Sequence, residues 1–201
     1  KYSNIDFEII DCLNPKYSIG EILSLISKKR YLCVIFVSRI EGIQSTKEII
    51  SKIKDIKPTQ KTIIYGDICE YAPNFFKKYM KVDAIIKSGD WELSLSEYID
   101  YLLKTKKGKK FYGVDILKKK RWLIGERGKI LHNAGWMLPD IESNMFDIEI
   151  YNSLSHKELT IGVSRGCPFN CKFCPIILTT GLKDRRKDIK EIINYLKKYK
   201  H

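Results

Sequence analysis

Three cysteines stand within eight residues of one another, in the segment Ser164-Arg165-Gly166-Cys167-Pro168-Phe169-Asn170-Cys171-Lys172-Phe173-Cys174-Pro175. Their spacing is C-x3-C-x2-C. Thiolates are soft ligands, which favours an iron–sulfur cluster or zinc over magnesium. Structural zinc wants four ligands, usually from two knuckles. No second Cys pair is present, and His156 is a lone residue in a polar segment. Iron–sulfur clusters normally take four thiolates. A loop with only three leaves one iron open, and an open iron can bind a substrate or cofactor. A cysteine-rich loop without any ligand is the bland alternative.

The other chemistry-bearing residues are scattered. Cys12, Cys33 and Cys69 stand alone, and a buried free Cys commonly behaves as a small hydrophobe. His132, His156 and His201 show no ligand spacing. The three Trp, at 91, 122 and 136, and most Tyr read as packing residues rather than as a platform for stacking bases.

The elements that position these residues alternate between strand and helix. Phe7 to Asp11 reads as a short strand with Asn14-Pro15 as its exit. Residues 18–30 read as a helix, with Ser18 as N-cap and Glu21 at the capping-box spacing. Tyr31 to Val37 is a continuous apolar run, which suits a strand buried on both faces. A helix over 45–57, a strand over 62–65, a short helix over 73–80, a strand over 82–86 and a helix over 91–104 follow. This alternation predicts an open parallel α/β sheet of the Rossmann-like type. Ligands of such sheets bind beyond the carboxyl ends of the strands. That rim would carry Ser38-Arg39, Gly66-Asp67 and Ser88-Gly89. Glycine there lets a ligand approach the backbone, although these glycines also suit plain tight turns.

A basic stretch from Lys104 to Lys110 ends this unit. Residues 111–131 predict an irregular hairpin turning at Gly125–Gly128. A strand over 159–163 runs into the cysteines, and a helix over 184–200 follows with Asp184 as its N-cap. The domain reading is a sheet unit over 1–107, a connecting segment over 108–157 and a second unit begun at 158–201.

The totals narrow the class. No apolar run reaches the roughly 18 residues needed to span a bilayer, and the start lacks a signal-peptide pattern. The chain therefore reads as soluble and cytoplasmic, and its cysteines as ligands rather than disulfides. The formal charge is +13. Lys alternates with Ile along the helices, as in Lys52-Ile53-Lys54, which reads as a solvated face. Nucleic acid is an admissible partner that this pattern does not favour. Lys1 in place of Met, and a helical pattern running to His201, suggest a piece of a longer chain.

The cysteine segment resembles the signature of the radical S-adenosylmethionine enzymes, C-x3-C-x2-C with an aromatic before the last Cys. The resemblance implies that Cys167, Cys171 and Cys174 hold a [4Fe–4S] cluster whose open iron binds S-adenosylmethionine. It also implies that Phe173 lies near the adenine, and that one electron from an external donor cleaves a carbon–sulfur bond to give a 5′-deoxyadenosyl radical. Ser164 to Cys171, and Asp184-Arg185-Arg186, look like the cobalamin-binding branch. Val82 to Ile86 followed by Gly89-Asp90-Trp91-Glu92 is similar to that branch's V-D-x-V-V-x-G-E-x-E stretch. The implied fold is a flavodoxin-like, cobalamin-binding-type sheet over 1–107, followed by the first strand and helix of a partial (β/α) radical S-adenosylmethionine barrel. Cobalamin would lie over Ser38, Gly66, Asp67, Ser88 and Gly89, and the reaction would be radical methylation or rearrangement. On this alignment Phe7 to Asp11 matches the second strand, with the first expected upstream of Lys1, and the isolated chain is expected to be inactive. Two readings remain beside it. One is a methylthiotransferase-like protein acting on tRNA, a branch with one Cys at each of three strand ends; Cys12 and Cys69 lie near strand ends, whereas Cys33 lies at the beginning of its strand, on the opposite rim. The other is a non-catalytic basic module that binds nucleic acid.

Overall fold

The computed structural model describes residues 5–12, 14, 16–105, 110–132, 134–140, 161–174 and 176–199. Expectations at 106–109, 141–160 and 200–201, including His156, His201 and the start of the strand expected at 159–163, lie outside these residues. So do Pro15 and Pro175. No helix among the described residues is long and apolar enough to cross a membrane.

The chain enters through helix α1 (Ile19–Lys28), which starts where the capping box places it. The Ser18 Oγ accepts from the Glu21 N–H at 3.2 Å, and the Glu21 carboxylate accepts from the Ser18 N–H at 2.7 Å. Strands β1 (Val34–Val37), β2 (Thr62–Tyr65) and β3 (Ala84–Ile86) pair in parallel, with Ile35 opposite Ile63 and Ile64 opposite Ile85. Helices α2 (Ile43–Ile56), α3 (Asp67–Tyr71) and α4 (Pro73–Tyr79) make the crossovers, and α5 (Trp91–Leu102) follows β3. Successive strand residues point to opposite faces. Ile64 and Ile85 therefore meet Ile50, Cys69, Phe76 and Met80, while Ile63, Ala84 and Ile86 meet Tyr98 on α5. Both faces of β2 and β3 are thus covered, and each fully buried Ile stabilises the sheet by about 1.5–3 kcal/mol.

The sheet extends past residue 107. Strand β4 (Val114–Lys118) pairs antiparallel with β3, and β5 (Arg121–Leu123) pairs antiparallel with β4, giving the order β1-β2-β3-β4-β5. The expected Rossmann-like α/β architecture is present, and its sheet is mixed. Val114 and Ile116 complete the core on the α5 face.

Several expectations require correction. Phe7 to Asp11 forms no strand: Phe7 and Ile9 are exposed, and no strand among the described residues pairs with them. Tyr31 to Val37 yields a strand only from Val34, and as the sheet's edge it is half-buried, with Val37 exposed. The hairpin turns at Lys119-Lys120 rather than at Gly125–Gly128. Both lysines have positive φ, 47° and 63°, the pattern of a two-residue hairpin turn normally filled by Asn or Gly. Lys54 does not belong to a solvated face. It is paired with Asp83, which also accepts from Lys61 at 2.9 Å and from the Thr62 N–H at 2.9 Å. Burial works against ionising Asp83, but the hydrogen bonds from Lys54 and Lys61 outweigh it and hold the carboxyl below its ordinary value. The fully buried Asp115 likewise engages Lys77 at 2.7 Å and Lys87 at 3.0 Å. Part of the positive charge is therefore spent inside the fold.

Candidate functional site

The cysteines lie on the connection between two very short strands. Strand β6 (Ser164–Arg165) pairs antiparallel with β7 (Arg185–Arg186), with Arg165 opposite Arg185. The expected strand thus falls just beyond 159–163: residues 161–163 are irregular. Between the two strands come the cysteines and a one-turn helix, α6 (Ile176–Thr179). Helix α7 (Ile189–Lys198) follows, capped by Asp188, whose carboxylate accepts from the Lys190 N–H at 2.8 Å. Asp184 is not the cap expected at this helix; it accepts from the Arg186 Nε at 2.7 Å.

Local backbone bonds shape the loop. Gly166 has φ 87°, and a Cβ there would sit 2.1 Å from the Lys183 carbonyl oxygen. Only glycine lets the chain pass so close just before the first thiol. The Cys167 N–H donates to the Gly181 carbonyl at 3.2 Å, and the Cys174 N–H to the Cys171 carbonyl at 3.1 Å. All three thiols are free; Cys167 and Cys174 are half-buried and Cys171 is exposed. Phe173 is 87% exposed. The donor set fits an iron–sulfur cluster in chemistry, since three unpaired thiols share one short, accessible loop. Among the described residues no three His, Cys, Asp or Glu side chains converge on one point as a metal site.

This loop is docked on the carboxyl end of the sheet. Asp90 precedes α5 and is buried; its carboxylate takes two bonds from Arg185, at 2.5 and 3.1 Å, one from Arg165 at 3.2 Å and one from the Leu131 N–H at 2.6 Å. Glu92, in the first turn of α5, receives both ends of the Arg165 guanidinium, at 2.9 and 2.7 Å. Trp136 lies under this group, with the Arg165 guanidinium 4.7 Å from its ring centre and its own Nε1–H donating to the Gly162 carbonyl at 3.0 Å. Burial opposes ionisation of Asp90, and the Arg185 bonds overcome it, holding the carboxyl below its ordinary value. α6 also packs on α3, the helix that starts right after Gly66.

The rim divides into two halves. At one, the Ser38 N–H donates to the Tyr65 carbonyl at 2.7 Å, while the Ser38 Oγ is buried with no partner. An orphaned buried hydroxyl is costly unless something bonds it, so this half fits a ligand with a polar group. Tyr65 stacks here on Trp91, ring centres 5.3 Å apart. Asp67 begins α3. At the other half, the Gly89 N–H donates to the Thr179 carbonyl at 2.8 Å, and the Ser88 Oγ accepts from the Gly128 N–H at 2.9 Å. A Cβ at Gly89 would lie 2.5 Å from the Gly128 backbone. Ser88 and Gly89 are thus covered by the chain itself. A cleft of about 590 Å³ opens beside them, with Arg127, Gly128 and Ile130 on one wall and Ile177, Gly181 and Lys183 on the other.

The remaining cysteines are not brought together. Cys33 precedes β1, whereas Cys69 sits in α3, beyond the opposite end of the parallel strands. Burial pushes the Cys33 thiol up to about 11, and Cys69 is a fully buried core residue. Sequence reasoning gave no role to the Arg165–Asp90–Arg185–Glu92 group or to the seat on Trp136. Two acidic residues two apart at a helix start, and two Arg flanking a cysteine loop, were the available signal.

No family model matches the chain. An uncharacterized methyltransferase of Pyrococcus horikoshii is 27% identical over 206 residues, covering 95% of this chain and 41% of its own. One from Synechocystis is 36% identical over 53 residues, 26% of this chain and 9% of its own. Among solved structures, the radical S-adenosylmethionine methyltransferase TsrM from Kitasatospora setae superposes with a TM-score of 0.69 at 12% identity, over 95% of this chain and 39% of TsrM. The cobalamin-dependent S-adenosylmethionine radical enzyme OxsB gives 0.72 at 18% identity, over 90% of this chain and 25% of OxsB. The chain shares their fold. It spans less than half the length of each of these relatives.

Proposed function

We propose that this chain is the sheet and cluster-loop portion of a cobalamin-dependent radical S-adenosylmethionine enzyme that transfers methyl groups. The observation that carries this reading is the docking of the three-cysteine loop, through Arg165 and Arg185, onto the carboxyl-end rim of an α/β sheet. A rim of this kind is where such sheets receive cofactors. The likeness to TsrM, named a radical S-adenosylmethionine methyltransferase, and to OxsB, named a cobalamin-dependent S-adenosylmethionine radical enzyme, supports it, and the methyltransferase names of TsrM and the two sequence relatives favour methylation over rearrangement.

Cys167, Cys171 and Cys174 would hold the cluster. When bound, it would supply an open iron for S-adenosylmethionine and the electron that cleaves its carbon–sulfur bond. The chain's own contributions are distinct. Gly166 lets the loop turn closely, and the Cys167 amide bond fixes the loop's entry. At the rim, the free Ser38 Oγ would meet a cobalamin, whereas Gly66, closely faced by the Ser38 carbonyl, and the Ser88–Gly89 half, faced by Gly128, are already closed by the chain. No observation favours a second cluster on Cys12, Cys33 and Cys69, because Cys33 and Cys69 lie at opposite ends of the strands.

Anaerobic reconstitution with ferrous iron and sulfide tests the reading. The wild-type chain should bind about four irons and turn brown, and Cys171→Ala should lose most of that iron. Aquocobalamin should be retained on gel filtration, and less so by Ser38→Ala. A colourless, iron-free wild-type chain after reconstitution overturns the proposal.

A further inference from the structure

The base of the cysteine loop is electrostatically unstable by itself. Arg165 and Arg185 face each other in register across the two-residue strands β6 and β7. Like charges directly opposite one another destabilise a strand pair, and an isolated two-stranded ribbon is marginal at best. What closes this one comes from the sheet unit. Asp90 bonds both guanidinium groups, and Glu92 takes both ends of the Arg165 fork. Two cations and two anions make the group neutral overall. Trp136 covers Arg165 and is itself tied to Gly162, two residues before β6.

Distance along the chain makes this consequential for the thiols. Cys167 lies two residues after Arg165, a span of at most about 7 Å. With Arg165 held by two carboxylates and the Cys167 N–H held by Gly181, little beyond side-chain rotation is left to the first thiol. We propose that Asp90 and Glu92 are positioning residues for the cysteine loop: by neutralising Arg165 and Arg185 they close its base, so that the cluster site is assembled only on the sheet. Insofar as the loop serves a cluster, this rests on the reading above, and it extends that reading from the three ligands to the unit that shapes them.

Cysteine alkylation of the metal-free full chain reads loop closure directly. Iodoacetamide labelling at each cysteine, followed by mass spectrometry, is compared between wild type, Glu92→Gln and Asp90→Asn. Glu92→Gln keeps the shape and removes one charge, and it should speed labelling of Cys167 about tenfold, equivalent to about 1.4 kcal/mol of lost restraint. Asp90→Asn should speed it further. Cys69, in the sheet core, should stay protected in Glu92→Gln. Arg165→Lys keeps the charge but loses the fork, and should fall between wild type and Glu92→Gln. An unchanged Cys167 rate in both carboxylate variants overturns the inference. So does Cys69 becoming as reactive as Cys167 in Glu92→Gln, since the carboxylate would then support only the fold at large. Iron loading of the same wild-type sample separates the two questions. A chain that takes no iron yet shows the labelling pattern retains the clamp and loses the cluster.

Discussion

The sheet and the cysteine loop are built from opposite materials. β2 and β3 are short apolar runs buried on both faces, and their stability comes from hydrocarbon removed from water. In the cysteine segment α7 buries no residue, and Ile189 on it is 71% exposed. That segment is attached by ion pairs, backbone bonds, one indole and the contact of the one-turn α6 with α3. A core of the first kind is tolerant and non-directional. A docking of the second kind fixes orientation, because guanidinium and carboxylate meet in only a few geometries, and it fails abruptly when one partner is removed. The sheet unit holds directional pairs of its own at Asp83 and Asp115, but these stand beside a buried apolar core that the cysteine segment, among the described residues, lacks.

The comparison can be broken from the sheet side first. Phe76→Ala, in the core between α4 and the sheet, should cost about 3–5 kcal/mol. Urea unfolding followed by circular dichroism should show loss of the whole fold. A smaller cost would mean that the sheet is not the stable half. From the other side, Asp90→Asn leaves Arg185 short of its anion in a buried place, a change of a kind that costs about 3 kcal/mol or more. Here the loss should be local: Trp136 fluorescence should change while the helical signal of the sheet unit persists.

Acid sharpens the same contrast. The Asp90 carboxyl ionises below its ordinary value of 3.8, so its contribution is complete above that value. It should be lost as the pH falls through the lower, folded-state value. A Trp136 transition below pH 4, absent in Asp90→Asn, is the expected result. A transition unaffected by the substitution would assign the acid sensitivity elsewhere, Asp83 being the first candidate. The smallest effect belongs to α1, far from the loop. Ser18→Ala removes the capping box and should cost about 1 kcal/mol, measurable as a shift in the urea midpoint with no change in Cys167 labelling.

The legible parts of the sequence were those governed by local rules. The capping box at Ser18 and Glu21 marks the start of α1 to the residue, and the apolar run Thr62–Tyr65 marks β2 with equal accuracy. Illegible parts depended on neighbours remote in sequence. Lys119-Lys120 forms a turn because β4 and β5 pair, against the preference of lysine for negative φ. Phe7 to Asp11 has a strand-like pattern, and it stays irregular because no described strand lies in register beside it.

The three cysteines, their spacing and the alternation of strands and helices are written in the chain, since each is a matter of residue type and short-range periodicity. Where on the sheet's rim the loop docks is not. That was decided by Asp90 and Glu92 meeting Arg165 and Arg185 across more than seventy residues of chain. Charge attraction carries no mark in local sequence: any of the chain's acidic groups could pair with any of its cations, and only the folded backbone brings these four within bonding distance.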